Sequence, residues 1–261
     1  MINVRPVTRP VWVAGVIALA TAASVEAQSL NSRLSRLEYT TVYGAAEDTF
    51  TSSGLQSSAD VDLAGSLLLS FADSKAGLVL DDPGRPWSAS VGVLNGHEFA
   101  ITGSVSEFSR ISASGSTEVS AAATGEGSAL MTVPAVGNRL EFGFTVGSTV
   151  SANLSGVVTL APGYGFLGGS VILQRFDGFI FATIFNTLSL PGEQGAFNLD
   201  LELTAGEYRL IGDSNASAFA FAGGAASATA ENSWSYDLTI VPAPASALVL
   251  AAGGLLRRRR R

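Results

Sequence analysis

The stretch Arg139-Leu140-Glu141-Phe142-Gly143-Phe144-Thr145-Val146 decides the fold class, because apolar side chains alternate along it with polar or small ones. A period of two places successive side chains on opposite faces of an extended strand. Leu, Phe, Phe and Val would then face a core, while Arg, Glu, Gly and Thr would face water. The stretch therefore predicts a half-buried strand of an antiparallel sheet.

The same alternation recurs through most of residues 40–240, with Gly, Pro, Asn or Asp interrupting it about every ten residues. Turn chemistry fits the interruptions, as at Ala205-Gly206-Glu207. Strands of this spacing predict an all-β fold, a single antiparallel β-sandwich or jelly roll. Because no linker or break in composition divides residues 28–240, we expect one domain there. The clearest further strand candidates are 88–94, 199–203, 208–212 and 233–240.

The run Phe179-Ile180-Phe181-Ala182-Thr183-Ile184-Phe185 departs from the alternation, because it is apolar on both faces. Such a run predicts a central strand that is covered on both sides. The alternative is a surface at which two copies of the chain meet, since an exposed run of this kind favours aggregation.

Composition excludes several classes of protein. Only 14% of the 261 residues are charged, there is no Cys, and the formal net charge is −7. These values argue against a disordered acidic tail, a disulfide scaffold, a thiolate metal site and a nucleic-acid-binding protein. Seven of the 15 basic residues and one of the 22 acidic residues lie in 1–27 and 242–261, so residues 28–241 carry a charge of about −13.

Residues 1–27 have the three parts of a secretory signal peptide. Arg5 and Arg9 form the positive region, Val11–Ala23 is apolar, and Val25-Glu26-Ala27 is a small-residue cleavage pattern. The pattern predicts cleavage by signal peptidase between Ala27 and Gln28.

Residues 241–261 have three ordered parts as well. Val241-Pro242-Ala243-Pro244 is followed by an apolar segment over 245–256, and then by the basic residues Arg257, Arg258, Arg259, Arg260 and Arg261. As a helix the apolar segment would rise only about 18 Å, well short of a hydrocarbon core of about 30 Å. The arginines would stay on the cytoplasmic side. The pattern predicts a short hydrophobic helix that holds the chain transiently in the inner membrane.

This tail resembles the PEP-CTERM sorting signal of Gram-negative bacteria, in which a Val-Pro-Glu-Pro motif precedes an apolar stretch and an arginine cluster. Pro242 and Pro244 match the motif prolines, whereas Ala243 stands where the motif has Glu. The resemblance implies cleavage near the motif by an exosortase, a membrane-embedded cysteine protease, and release to the cell surface or extracellular matrix. It covers only about twenty of the 261 residues. A plain membrane anchor is the alternative.

Catalytic residues are not evident in the sequence, and we expect no enzyme activity. His97, the single histidine, lies in Asn95-Gly96-His97-Glu98 and is predicted to be a turn or edge residue, with no Gly-x-Ser-x-Gly elbow elsewhere. The carboxylate pairs Asp60/Asp62 and Asp81/Asp82 are predicted to be solvated, although two carboxylates from different strands could act on a glycoside.

Binding candidates are few. Trp87 and Tyr164 are candidate platforms for stacking a sugar ring, with core packing as the competing interpretation for Trp87. Asp213 and Asn215 are weak calcium candidates, because Asp213-Ser214-Asn215 has alternating oxygen donors but lacks the rest of an EF-hand pattern. No other metal or cofactor is expected.

The leading hypothesis is an exported, non-enzymatic protein of the cell surface or extracellular matrix. Its partners would be signal peptidase, an exosortase, the inner membrane and extracellular polysaccharide, and nucleic acid is not expected. The alternatives are a carbohydrate-binding jelly roll and a glycoside-active enzyme.

Overall fold

The computed structural model describes residues 28–45, 48–79, 82–125, 131–160, 168–189, 195–221 and 224–241. The predicted signal peptide and the tail beyond Val241 lie outside these residues. Strands make up nearly all of the described chain, and a single 3-10 turn (Thr187–Ser189) accompanies them there. In chain order the strands are β1 (Ser29–Ala45), β2 (Asp48–Ser58), β3 (Ala64–Val79), β4 (Asp82–Ser104), β5 (Glu107–Gly125), β6 (Met131–Val146), β7 (Val150–Leu160), β8 (Gly168–Phe176), β9 (Phe181–Asn186), β10 (Gly195–Leu203), β11 (Gly206–Ser217), β12 (Ala220–Phe221) and β13 (Gly224–Val241).

Two antiparallel sheets form from these strands. The first sheet has the order β2-β1-β6-β11-β8-β9, with the short β12 paired to β6. The second sheet has the order β10-β7-β13-β5-β4-β3. Phe99 on β4 contacts Phe142 on β6 with ring centroids 5.3 Å apart, so the sheets pack face to face. The predicted all-β class is confirmed, and the strand candidates at 88–94, 139–146, 199–203, 208–212 and 233–240 each lie within an observed strand.

The interior contains two apolar clusters, one toward each end of the strands. The first, here called the aromatic cluster, is built on Phe99, Phe108, Phe142, Phe144, Tyr208, Trp234 and Tyr236, with leucines, isoleucines and valines between them. The second, here called the alanine cluster, is built on Ala89, Ala121, Ala123, Ala216, Ala218, Ala220, Ala228 and Ala230, with Leu37, Tyr43, Trp87 and several valines.

The strands are longer than the interruptions in the sequence predicted. The segment Asn95-Gly96-His97-Glu98, for example, lies within the 23-residue strand β4. Gly96 pairs with Leu68 of β3 and Ser116 of β5, so the ladder continues through it. The prediction of a turn or edge histidine at His97 is therefore wrong, because inward-facing polar residues interrupt the alternation without ending the strand.

The apolar run 179–185 does not form a central strand, and that prediction is also wrong. Phe179 and Ile180 lie in the turn between β8 and β9, and β9 is an edge strand that pairs with β8. Strand order, which sequence periodicity does not specify, decides whether an apolar strand is covered. Ile184 on β9 is consequently exposed.

Candidate functional site

A layer of buried polar side chains separates the aromatic cluster from the alanine cluster. On each contributing strand the inward-facing position between the two clusters is polar. On β6, for example, Asn138 lies between Val136 of the alanine cluster and Leu140 of the aromatic cluster. This layer, here called the polar belt, consists of Ser35, Asn95, His97, Thr117, Asn138, Ser214 and Asn232.

Two asparagines of the polar belt link the sheets reciprocally. Asn95 of the second sheet donates from Nδ2 to the carbonyl oxygen of Gly137 at 2.7 Å. Asn138 of the first sheet donates from Nδ2 to the carbonyl oxygens of Gly96 at 2.8 Å and Ser116 at 3.2 Å. Each asparagine therefore bonds to backbone beside the other, and any sliding of the sheets would break both links.

Two further cross-sheet bonds of the polar belt reach β11. Thr117 donates its hydroxyl to Oγ of Ser214 at 3.0 Å. Asn232 donates from Nδ2 to the carbonyl oxygen of Asn215 at 2.5 Å. Oδ1 of Asn95, Nε2 of His97 and Oδ1 of Asn232 have no hydrogen-bond partner within the described residues, so the polar belt is only partly satisfied. The bonds that it does make favour this packing of the sheets, because breaking one leaves a buried donor or acceptor unpaired at a cost of about 1–3 kcal/mol.

His97 lies inside this layer and is 5% exposed. Its Nδ1 is 2.8 Å from Oδ1 of Asn138, whose amide nitrogen already donates elsewhere, so Nδ1 carries the proton. Burial lowers the pKa of His97, the bond to Asn138 opposes that shift, and the nearby Arg33 guanidinium adds to it. The imidazole is therefore neutral at pH 7. Within the described residues Nε2 has no hydrogen-bond partner.

Arg33 continues the polar belt to the edge of the interior. Its side chain donates from Nη1 to Ser35 at 2.5 Å, from Nη2 to Ser58 at 2.9 Å and from Nε to the carbonyl oxygen of Asp60 at 2.5 Å. The Asp62 carboxylate is 3.8 Å from Nη2. Four acceptors thus compensate one buried cation. Asp60 and Asp62, which are exposed, help to hold this arginine. The side chains of Asp81 and Asp82 lie outside the described residues.

The weak calcium candidates lie on strand β11. Asp213 and Asn215 both face outward from β11, while Ser214 between them points into the core. The Asp213 carboxylate is 3.9 Å from Nη1 of Arg139, and burial raises its pKa. Groups of three or more potential metal-ligating His, Asp or Glu side chains do not occur in the described part of the chain.

Of the two sugar-stacking candidates, only Trp87 lies within the described residues. Trp87 is 5% exposed and belongs to the alanine cluster, so its proposed role as an exposed platform is wrong. Its indole lies against Gly77 of β3, where a Cβ atom would come within 2.8 Å of the ring nitrogen. Tyr164 lies outside the described residues. The strands before and after it, β7 and β8, belong to different sheets.

Three shallow depressions mark the described surface. One of about 600 Å³ lies on the first sheet beside Glu38 and Gly137. Two others, of about 630 and 680 Å³, lie on the second sheet on either side of Glu98. Each has one carboxylate residue among its described lining residues, whereas glycoside hydrolysis ordinarily uses two.

The two predicted processing boundaries come together at one end of the sheets. Ser29 pairs with Thr145 and Val241 with Ser151, and residues 145 and 151 flank the turn between β6 and β7. Gln28 accepts a backbone hydrogen bond from Phe108 at 3.1 Å. This end, here called the terminal end, also carries the turns β4–β5, β8–β9 and β10–β11. Pro242, Ala243, Pro244 and Arg257–Arg261 lie outside the described residues.

The polar belt was not predicted from the sequence, although the sequence contains a signal for it. Asn95 and His97 alternate in step with Val91, Val93 and Phe99, so extending the alternation through Gly96 would have placed them on the inward face.

The described residues contain no helix that is long and apolar enough to cross a membrane.

Comparison of the chain with models of protein families gave no match, and comparison with curated proteins gave none either.

Proposed function

We propose that this chain is the precursor of an exported, non-enzymatic protein of the cell surface or extracellular matrix. Signal peptidase would cut between Ala27 and Gln28. The tail over 241–261 would hold residues 28–240, here called the body, briefly at the inner membrane until an exosortase cuts near Pro242-Ala243-Pro244. The short hydrophobic helix over 245–256 and the jelly-roll assignment of the sandwich belong to this proposal.

The patterns of the two ends carry the proposal, because they divide the chain into two sorting segments and the residues between them. Residues 1–27 have the basic, apolar and small-residue parts of a signal peptide, and residues 241–261 have the proline motif, the apolar segment and the arginine cluster. The described strands support the proposal, because Ser29 and Val241, which adjoin the two predicted cleavage points, both lie at the terminal end.

Charge supports the same division. Residues 28–241 carry about −13, whereas seven basic residues lie in the two ends. Basic residues beside apolar segments direct orientation in a membrane, and an acidic body favours solubility after release.

Mass spectrometry of the protein recovered from the cell surface or medium tests the proposal. We expect a form that begins at Gln28 and ends near residue 244. A surface form that retains residues 245–261 would contradict the processing step, and a product confined to the cytoplasm would contradict export.

A charge-matched pair of variants tests the role of the arginines. Changing all five residues from Arg257 to Arg261 to Gln should leave uncut precursor in the cell, because the basic stop is lost. The five Arg→Lys changes keep the charge and should be processed normally. Equal processing of both variants would remove the arginine cluster from the proposal.

A further inference from the structure

The turn between β8 and β9 presents two large apolar side chains to the outside. Phe179 is 92% exposed and Ile180 is 66% exposed. Isolated exposed apolar residues are common, but two adjacent ones at the tip of a hairpin form a small apolar patch that projects from the surface. We call residues 177–180 the apolar tip.

The apolar tip is held in one conformation by its own polar groups. The Asp177 carboxylate accepts hydrogen bonds from the backbone nitrogens of Phe179 and Ile180, both at 2.9 Å. The backbone nitrogen of Asp177 donates to the carbonyl oxygen of Ile180 at 3.0 Å. Gly178 supplies the positive φ of 103° that the turn requires. These backbone bonds lower the pKa of Asp177, which keeps its carboxylate ionised and bonded.

These backbone hydrogen bonds matter because the hydrocarbon of a bilayer offers no partner to an unpaired N–H group. An unpaired backbone N–H costs several kcal/mol inside a lipid bilayer, so a turn can enter it only if its donors are already bonded. The base of the hairpin is also braced, since the guanidinium of Arg209 lies 3.8 Å from the ring centroid of Phe181. The apolar tip therefore presents two apolar side chains on a turn in which the N–H groups of Asp177, Phe179 and Ile180 are bonded. Insertion is shallow, because the ionised Asp177 carboxylate has to stay at the level of the lipid headgroups.

The position of the apolar tip identifies the surface that it meets. Tyr208 of β11 pairs with Arg175 near the end of β8 and with Phe144 near the end of β6. The turn that follows Phe176 therefore lies at the terminal end. Val241, which is 45% exposed, and Val105 in the β4–β5 turn, 38% exposed, lie at the same end. The chain thus leaves this end at Val241 and continues into the apolar segment over 245–256.

Chain length sets how far the body can stand from a membrane that holds this segment. Four residue steps separate Val241 from Ala245, and an extended chain spans at most about 3.6 Å per residue, or about 14 Å. A body tethered so closely would present the terminal end, and with it the apolar tip, to the lipid. This step rests on the proposed function, which places the tail in the bilayer.

We propose that the apolar tip inserts into the lipid bilayer beside the tail, so that Phe179 and Ile180 act as a second membrane contact. The segment over 245–256 is short for a spanning helix, and one weak apolar anchor gives only reversible binding. The acidic body favours neutral lipid over anionic lipid, so the contact is apolar and resistant to salt. Cutting the tail would leave the tip alone, which is too small to retain the body and thus permits release.

Site-specific fluorescence in the full chain tests this contact. The protein has no cysteine, so Phe179→Cys and Phe221→Cys each provide a single labelling position. Phe221 is a matched control, because it is 62% exposed and pairs with Met131 at the opposite end of β6. Strand length puts the two ends about 50 Å apart at roughly 3.3 Å per residue. Each variant, labelled with an environment-sensitive dye, is reconstituted with phosphatidylcholine vesicles and floated.

The label at position 179 should be quenched by nitroxide lipids and protected from iodide, and the label at 221 should show the reverse. A floated protein whose label at 179 remains open to iodide would overturn the insertion while leaving the tail in the membrane. Failure of the unsubstituted chain to float would overturn the proposed function and the insertion together. Protection of position 179 without vesicles would show that a second copy covers the tip, which also overturns the insertion.

A second measurement does not depend on a label. The double variant Phe179→Ser, Ile180→Ser should partition into phosphatidylcholine vesicles about tenfold more weakly, because two large apolar side chains no longer leave water. Phe221→Ser should partition as the unsubstituted chain does. Equal partitioning of all three proteins would overturn the proposal.

Discussion

The aromatic cluster and the alanine cluster lie between the same two sheets, yet they stabilise the sandwich to different extents. In the aromatic cluster large rings meet across the sheets, as Phe99 meets Phe142 and Phe108 meets Phe144. In the alanine cluster small side chains from both sheets fill the interior, among them Ala121 and Ala123 on β5 and Ala216 on β11. Because apolar burial contributes about 25 cal/mol per Å², the aromatic half should contribute most of the stability. The alanine half should open first.

The largest expected effect is the loss of a ring from the aromatic cluster. Phe142→Ala removes a fully buried side chain at the contact between the sheets and should lower the free energy of unfolding by about 3–5 kcal/mol. Urea denaturation measures this change. Because the cost includes the cavity left behind, it depends on how far the neighbouring rings can move.

Val119→Ala is the matched change in the alanine cluster, where Val119 is equally buried. It removes two methyl groups and should cost roughly 1.5 kcal/mol at about 0.8 kcal/mol per group. Amide hydrogen exchange should also be faster in the residues of β4 and β5 that line the alanine cluster. Equal costs and uniform exchange would contradict the difference between the clusters.

The next effect concerns the polar belt that separates the clusters. Asn138→Ala removes the bonds to Gly96, Ser116 and His97, and leaves their buried polar groups without those partners. We expect a loss of about 2–4 kcal/mol in the free energy of unfolding. Asn215→Ala, at an exposed position, should change stability by less than about 0.5 kcal/mol. A small effect at Asn138 would mean that the belt does not hold the sheets in register.

Acidification should reveal the buried histidine of the polar belt. The pKa of His97 lies below its usual 6.5 in the folded protein, chiefly because of burial. As pH falls through about 6.5, the unfolded chain gains a proton that the folded chain does not, so stability decreases. The loss between pH 7.5 and 5.5 should reach up to about 1.4 kcal/mol, and above that range His97 contributes no pH dependence.

His97→Gln provides the comparison for this pH effect. The variant cannot titrate there, so its stability should vary less with pH between 7.5 and 5.5 than that of the unsubstituted protein. Carboxylates such as Asp213 remain in both proteins, and the difference between the two curves therefore isolates the histidine. Parallel curves would show that His97 is protonated in the folded state as readily as in the unfolded state.

The sequence predicts the strands of this molecule better than it predicts the contacts in the interior. The alternation at 139–146 and 233–240 predicted strands correctly, because period two follows directly from strand geometry. The reciprocal bonds of Asn95 and Asn138 could not be predicted, since they depend on which strands face each other across the sandwich. The edge position of β9 depends on strand order in the same way, and the apolar run over 179–185 was consequently misjudged.

The smallest expected effect is the loss of one tyrosine hydrogen bond, which can be compared between the two clusters. Tyr43 in the alanine cluster donates its hydroxyl to the Asp73 carboxylate, whereas Tyr208 in the aromatic cluster donates to the carbonyl oxygen of Thr204 at 2.7 Å. Tyr43→Phe and Tyr208→Phe should each cost about 0.5–1.5 kcal/mol, the net value of one hydrogen bond.

Alkaline pH should reveal the contribution of the Tyr43 hydroxyl. Burial and the bond to Asp73 raise the pKa of Tyr43 from 10.0 to about 12, so above pH 10 the unfolded chain loses a proton that the folded chain keeps. Stability should then fall as pH rises from 10 to 12, and Tyr43→Phe should reduce that fall. If Tyr43→Phe leaves the alkaline curve unchanged, the hydroxyl is already open to solvent. The alanine cluster would then be looser at this edge than its packing indicates.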